Sequence, residues 1–155
     1  KDIKPYQATL VPDEDNQITS DHGWIRGDHD EELKLIIERL REDCSFVSIF
    51  IDANIESVDY ALEMGVNAVE IYTGPYAKLN KDERVSCIEE MHKIFKYVKS
   101  NNLKLNAGHD LNLENLPDLI DLNIIDEVSI GHAIIIESLI HGLDNVLSQY
   151  IKIIR

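Results

Sequence analysis

Short apolar runs that alternate with helix-like segments are the feature of this sequence that most restricts its fold. Five such runs are present, at 8–12, 46–51, 68–72, 103–106 and 127–130. Regular alternation of this kind requires parallel strands joined by right-handed crossovers through helices. The runs are short and apolar at successive positions, as expected of strands that are covered on both faces. The pattern therefore predicts an α/β fold with a parallel sheet.

The segments between these runs have the end signals of helices. One helix is predicted to start at Asp30, a second to be capped by Asn54 and ended by Gly65, and a longer one to run from about Asp82 to Ser100. One or two further helices close the chain. The long helix is predicted to bury one face, made of Val85, Ile88, Met91, Ile94, Phe95 and Val98. Two shorter elements are also expected, a turn at Thr73–Pro75 and a helix near Asn112–Asp121.

Polar or ionisable residues follow nearly every predicted strand. Parallel α/β proteins place their chemistry at the carboxyl ends of strands and in the loops that lead into helices. An open five-stranded sheet fits the strand count. The residues at the strand ends favour instead five consecutive units of a (β/α)8 barrel, in one domain that spans residues 1–155.

Composition excludes some classes of partner. The formal net charge of the 155 residues is −14, which would repel nucleic acids and anionic membranes. A small phosphorylated ligand is still compatible with this charge, because backbone amides at a helix N-terminus can bind phosphate locally. Cys44 and Cys87 have neither zinc-site spacing nor a disulfide framework, so reduced thiols in a cytoplasmic protein are expected. No signal peptide and no membrane-spanning run is apparent.

His109 is the first candidate for a chemical role. It follows Gly108 at the end of the fourth predicted strand, and the glycine allows a ligand to approach the backbone closely. Imidazole exchanges protons near neutral pH, so a proton-transfer role is favoured. The alternative is a structural histidine hydrogen-bonded at the rim of a barrel.

Glu70 is the second candidate, because it lies inside the apolar strand 68–72. A carboxylate is costly there unless it is paired or used. Alternation places it on one face with Ala68 and Tyr72, pointing into a barrel interior. In that place it would stabilise positive charge on a substrate or bind a reacting hydroxyl. The alternative, weighted equally, is a buried glutamate paired with a lysine or arginine.

Two further motifs carry weaker signals. Gly131-His132 resembles a strand-to-helix turn with free amides that would bind an anion. The long first loop, residues 13–29, contains Ile18–Trp24, which offers hydroxyls, a carboxylate and an imidazole for gripping a ligand or for an ordinary solvated turn. The spacing of His22 and His29 in this loop does not indicate a metal site. Asp52 is either a hydrogen-bond acceptor at the rim or a partner of a site residue.

Five blocks in one order resemble pyridoxine 5′-phosphate synthases of the deoxyxylulose-dependent vitamin B6 pathway. The similarity extends over essentially the whole chain. The blocks are Ala8–Pro12 with Ile18–Trp24, Val47–Ala53, Val69–Ala77, Leu105–Asp110 and Ser129–Ile135.

The resemblance implies a (β/α)8 barrel without metal or organic cofactor. Members of this family condense 1-deoxy-D-xylulose 5-phosphate with 3-amino-2-oxopropyl phosphate and release phosphate and water. By the same match, His109 is the proton donor, Glu70 stabilises the transition state and Thr19 binds the deoxyxylulose phosphate. Three positions correspond to contacts with the aminooxopropyl phosphate: Asp110, Gly131 and His132.

The chain also departs from the family pattern. Glycine is common where this chain has Asp110, and a carboxylate beside a phosphate repels it unless only the backbone amide makes the contact. The sequence is expected to start near the family's fourth strand, so that a histidine and a glutamate that act as bases lie outside it, and this part alone is expected to be inactive. The alternative functions are a non-catalytic phosphate-binding or sugar-phosphate-binding module and a scaffold. Isoleucines around residues 134–154 predict a homo-oligomer or a cover for the barrel.

Overall fold

The computed structural model describes residues 4–155, which contain five parallel strands and seven helices. The strands are β1 (Gln7–Leu10), β2 (Phe46–Ile51), β3 (Ala68–Tyr72), β4 (Lys104–Gly108) and β5 (Glu127–Ser129). The helices are α1 (Asp30–Leu40), α2 (Ile55–Met64), α3 (Gly74–Ala77), α4 (Lys81–Ser100), α5 (Leu116–Ile120), α6 (His132–His141) and α7 (Leu143–Ile153).

The strands pair in chain order, β1-β2-β3-β4-β5, and every pairing is parallel. The sheet is strongly curled. Lys104 Nζ on β4 donates to Gln7 Oε1 on β1 at 3.0 Å and to Glu127 Oε2 on β5 at 2.7 Å. In a flat sheet, β1 and β4 would be three spacings, roughly 14 Å, apart, and side chains perpendicular to the sheet would not meet. The prediction of a parallel α/β fold is confirmed, and the five strands form a curled half-barrel compatible with part of a (β/α)8 barrel.

The convex face of the sheet packs against the helices. Val47, Ile49 and Ile51 of β2 are completely buried there, and burial of each such side chain contributes about 1.5–3 kcal/mol. Helical residues in the same cluster come from α1, α2 and α4: Leu33, Ile37, Val58, Ala61, Met91, Phe95 and Val98. This layer holds the strands in place and fixes where their carboxyl ends lie.

The concave face differs from the prediction that both faces are apolar. Each of the five strands contributes a polar residue to this face: Thr9, Ser48, Glu70, Asn106 and Ser129. Ser48 and Asn106 are completely buried, yet their side-chain polar atoms find no partner among residues 4–155. The expectation that the strands are apolar on both faces was therefore wrong for the concave face, where only Glu70 was predicted, because apolar residues at intervening positions concealed a second, polar periodicity.

Local end signals were interpreted correctly at α2. The Asn54 side chain accepts a hydrogen bond from the Ser57 amide at 2.8 Å, and Gly65 ends the helix with a φ of +76°. The strands at 46–51 and 68–72 also have the predicted bounds. These elements were predictable because each depends on neighbours along the chain.

Two short segments differ from prediction. Residues 73–75 are not a simple turn, because α3 starts at Gly74; Pro75 fits its first turn, where a missing N–H costs nothing. Near residue 112 the helix starts late. The Asn112 side chain accepts from the amides of Glu114 and Asn115, at 2.9 and 3.0 Å, so an Asn turn replaces the first helical turn.

The predicted apolar face of α4 is wrong at its first residue. Val85 is 61% exposed, whereas Arg84 is only 4% exposed. Arg84 Nη2 donates to Glu114 Oε1 at 2.9 Å. An ion pair therefore occupies the inward position and joins the start of α4 to the loop before α5.

In residues 4–155, each helix is too short or too polar to cross a lipid bilayer.

Candidate active site

A cleft of about 360 Å³ lies at the carboxyl ends of β3, β4 and β5. Its walls include five of the six predicted site residues: Glu70, His109, Asp110, Gly131 and His132. The sixth, Thr19, reaches the same place from the loop after β1 through a contact with His109. The curl of the sheet therefore brings the predicted residues together at one end of the half-barrel.

The His109 imidazole is held on several sides. Its Nε2 lies 3.0 Å from Thr19 Oγ1, within hydrogen-bonding distance, with the donor set by the histidine tautomer. The ring also packs against Tyr72 and Phe50, with ring centroids 5.3 and 6.2 Å away. Its backbone has a φ of +95°, a conformation that residues other than glycine rarely adopt. A half-buried imidazole with one nitrogen at a hydroxyl is suited to proton transfer.

Glu70 lies at the centre of the concave face. Burial raises the pKa of its carboxyl above the ordinary value, the Glu127 carboxylate adds to this rise, and the hydroxyls of Ser129 and Thr9 oppose it. Two hydroxyls therefore lie near the carboxyl, and the lysine or arginine of the alternative interpretation is absent from the groups that set its pKa. A perturbed carboxyl in a cleft is typical of a functional site.

Gly108 determines how closely β4 approaches that carboxyl. A β-carbon at this position would collide with Glu70 Oε1 and would lie 3.0 Å from Ser129 Cβ. The glycine was identified from sequence as allowing close approach of a ligand. In the structure, the missing side chain of Gly108 makes room for the Glu70 carboxyl.

Gly131 and His132 form the start of α6, as the sequence predicted. No side chain caps this helix within the described residues, so its first amides are available to an anion. A β-carbon at Gly131 would meet no atom within 4 Å, which shows that the space before the helix is open. Asp110 is an exposed residue that lines the same cleft, with a φ of +56°.

The first long loop is anchored over β1 and β2. Trp24 Nε1 donates to the Leu10 carbonyl at 2.9 Å, and the Gly23 amide donates to Asp52 Oδ1 at 3.2 Å. Asp52 is therefore an acceptor at the rim. His22 pairs with Asp21 at 2.6 Å. His29, the residue just before α1, lies 4.0 Å from Glu32 in the first turn of that helix. Within residues 4–155, no cluster of three or more histidine, cysteine or acidic side chains has the arrangement of a metal site.

Sequence reasoning missed several residues that shape this site. Thr9 and Ser129 beside Glu70 lie on strands at opposite edges of the sheet, so no local pattern joins them. Phe50 on β2 lies beside Glu70 and on the same face as Tyr72, and strand alternation applied to β2 would have identified it. Two buried residues that contact the backbone of the site were missed as well: Thr73 and Asn115.

Fold and site together define a parallel α/β protein of half-barrel form with its candidate active site at the carboxyl ends of the strands. A sequence model of one protein family, described as "Pyridoxal phosphate biosynthesis protein PdxJ", matches residues 1–155. The chain belongs to this family.

Curated relatives agree with this assignment. Pyridoxine 5′-phosphate synthase of Cytophaga hutchinsonii is 40% identical over 153 residues, which make up 98% of this chain and 64% of that protein. The protein of the same name from Parabacteroides distasonis is 37% identical over 150 residues, 96% of this chain and 63% of the relative. The protein of the same name from Porphyromonas gingivalis is 36% identical over 151 residues, which make up 97% of this chain and 63% of that protein. The chain thus spans a little under two thirds of the length of these relatives.

Proposed function

We propose that this chain carries part of the active site of a pyridoxine 5′-phosphate synthase, within a complete (β/α)8 barrel. The reaction would be the condensation of 1-deoxy-D-xylulose 5-phosphate with 3-amino-2-oxopropyl phosphate, with release of phosphate and water. The observation that carries the proposal is the convergence of His109, Glu70 and Thr19 on one cleft that also contains a free helix start. Family membership and the names of the relatives support the same activity.

The residues divide between proton transfer and substrate binding. His109 is proposed as the proton donor, because its Nε2 already forms a hydrogen bond at the mouth of the cleft. Glu70 would stabilise charge in the transition state from its half-buried position on the concave face. Thr19 would bind the deoxyxylulose phosphate. The phosphate of the aminooxopropyl substrate would lie between the Asp110 backbone and the start of α6, at Gly131 and His132.

Barrel closure is part of the same proposal. β1 and β5 each pair with one strand among residues 4–155, which leaves two open sheet edges. A barrel has no free edges, and a further set of strands would complete it. In this family those strands supply the histidine and glutamate bases, so activity is expected only when they are present.

Self-association is proposed from the last helices. Four large apolar side chains of α6 are between 56% and 83% exposed: Ile135, Ile136, Leu139 and Ile140. An apolar patch of this kind is typical of a surface that another protein surface covers. A homo-oligomer is the expected state, to be measured by light scattering of the complete protein.

The test is product formation from the two phosphorylated substrates, with protein expressed from the complete reading frame. His109→Ala should abolish turnover and leave the fold intact, whereas His92→Ala, on the outer helix α4, should leave turnover unchanged. Near-normal activity of His109→Ala would remove His109 from the mechanism. A folded wild-type protein that binds phosphate but forms no product would favour the non-catalytic binding module.

A further inference from the structure

Three successive backbone carbonyls at the site are held by two buried side chains. Thr73 Oγ1 lies 2.7 Å from the Gly108 carbonyl and 2.6 Å from the His109 carbonyl. Asn115 Nδ2 donates to the Asp110 carbonyl at 3.1 Å. Thr73 is completely buried, so water does not reach its hydroxyl.

The backbone at this point adopts an uncommon conformation. His109 and Asp110 have φ values of +95° and +56°. Such conformations are unfavourable in side-chain-bearing residues and persist only where the surroundings enforce them. The hydrogen bonds from Thr73 and Asn115 supply that enforcement, because they fix the carbonyls on both sides of the two strained φ angles.

Thr73 acts on His109 more directly than Asn115 does. The Gly108 carbonyl keeps a second bond, from the Thr73 amide at 2.9 Å, whereas the His109 carbonyl accepts only from the Thr73 hydroxyl among the described residues. The hydroxyl has one proton, which the two carbonyls share. Removal of this hydroxyl would leave the His109 carbonyl without a partner next to the strained φ angle.

We propose that Thr73 is a positioning residue, whose hydroxyl fixes the backbone of His109 and thereby the place of its imidazole beside Thr19. The consequence for catalysis rests on the proposed function, in which His109 donates a proton. A misplacement of about 1 Å in a reacting group can cost on the order of a hundredfold in rate. Substrate binding should change much less, because Thr73 itself is buried behind the site.

The experiment compares three variants in protein expressed from the complete reading frame. Thr73→Val keeps the shape of the side chain and removes the hydroxyl, and Thr73→Ser keeps the hydroxyl. Tyr97→Phe is the matched control, because it removes a hydroxyl that donates to Asp59 Oδ1 at 2.7 Å, on helices remote from the cleft. The readouts are kcat, KM for both substrates, the pH profile of kcat, and a crystal structure of each variant.

Thr73→Val should lower kcat by about tenfold or more, change each KM by less than about threefold, and lengthen the distance between Thr19 Oγ1 and His109 Nε2. Thr73→Ser should restore most of the rate, and Tyr97→Phe should alter neither rate nor distance. If Thr73→Val does not fold, Thr73→Cys, with its weaker donor, should give a rate below that of Thr73→Ser.

An unchanged distance and an unchanged kcat in Thr73→Val would overturn the proposal. A displaced imidazole with an unchanged kcat would support the positioning role and instead remove His109 from the reaction. The two failures are therefore distinguishable.

Discussion

Thr19 Oγ1 lies 3.0 Å from His109 Nε2, although the two residues are 90 positions apart in the chain. Thr19 belongs to the loop after β1 and His109 follows β4, and these two strands do not pair with each other. Curling of the sheet closes the gap between them. The contact therefore joins the proposed proton donor to the loop proposed to bind one substrate.

Removal of the Thr19 hydroxyl should weaken the reaction without unfolding the protein. Thr19 is exposed, and Thr19→Val is expected to lower kcat/KM by about tenfold, the typical effect of one lost hydrogen bond to a charged or polar partner. Thr19→Ser should retain the rate. Steady-state kinetics of the complete protein measure both, with Ser20→Ala as the neighbouring control, since the Ser20 hydroxyl donates to Asp13 instead. Equal rates for Thr19→Val and wild type would contradict the prediction.

A methyl group at position 108 should displace the Glu70 carboxyl. In Gly108→Ala the new carbon would collide with Glu70 Oε1, the mobile end of a side chain, so the backbone can stay in place while the carboxyl moves. We expect a small loss of stability and a fall in kcat of at least about tenfold. Thermal unfolding and turnover are the measurements. Gly27→Ala is the control, because its added carbon would meet only the Ile25 carbonyl, at 4.0 Å. A variant with a shifted Glu70 and full activity would argue against a catalytic role for this carboxyl.

Ionisation of Glu70 should lower stability as the pH rises. Burial raises its pKa in the folded protein above the ordinary value of 4.5. Between these two pKa values the folded state binds a proton that the unfolded state has lost, so the free energy of unfolding decreases with increasing pH. Glu70→Gln removes this term. Urea unfolding at about pH 4 and about pH 7.5 should therefore show Glu70→Gln close to wild type at the lower pH and relatively more stable at the higher. The opposite order would mean that the carboxylate is stabilised in the fold.

Neutralising Asp110 should tighten the binding of phosphate. Asp110 shares the cleft with Gly131 and the start of α6, and its negative charge opposes an anion there. Asp110→Asn keeps the size of the side chain and tolerates the φ of +56°, and Asp110→Gly in addition removes the strain. Calorimetry with inorganic phosphate should show both variants binding several-fold more tightly than wild type at low salt, with a smaller difference at high salt. A gain in Asp110→Gly alone would assign the effect to conformation and not to charge.

Lys104 should stabilise the opposite end of the half-barrel. Its ammonium group bonds to Gln7 and Glu127 and lies 5.4 and 5.2 Å from the ring centroids of Tyr6 and Phe46. Lys104→Met would lose these contacts at a largely buried position, and the free energy of unfolding should fall by about 1–2 kcal/mol. Lys34→Met, which removes only an exposed pair 4.0 Å from Glu31, should have little effect. Chemical denaturation of the two variants provides the comparison.

The sequence by itself determined the order and type of the main elements and the most prominent chemical groups. The strands at 46–51 and 68–72, the cap at Asn54 and the end at Gly65 depend on local periodicity and local hydrogen bonds, which neighbouring residues specify. His109 was recognisable because a glycine and an imidazole follow an apolar strand. Glu70 was recognisable because burying a carboxylate inside such a strand is costly unless the group is paired or has a function.

Only the tertiary structure decided which groups meet. The hydroxyls of Thr9 and Ser129 approach Glu70 from opposite edges of the sheet, Arg84 replaces Val85 on the inner face of α4, and the Thr73 hydroxyl bonds to the carbonyl of His109. The first of these relationships depends on how far the five-stranded sheet curls, whereas the other two depend on how α4 and the ends of the paired strands β3 and β4 pack. A local sequence pattern specifies which face of the sheet a side chain points to. The distance to a side chain 90 residues away is set by packing of the whole sheet.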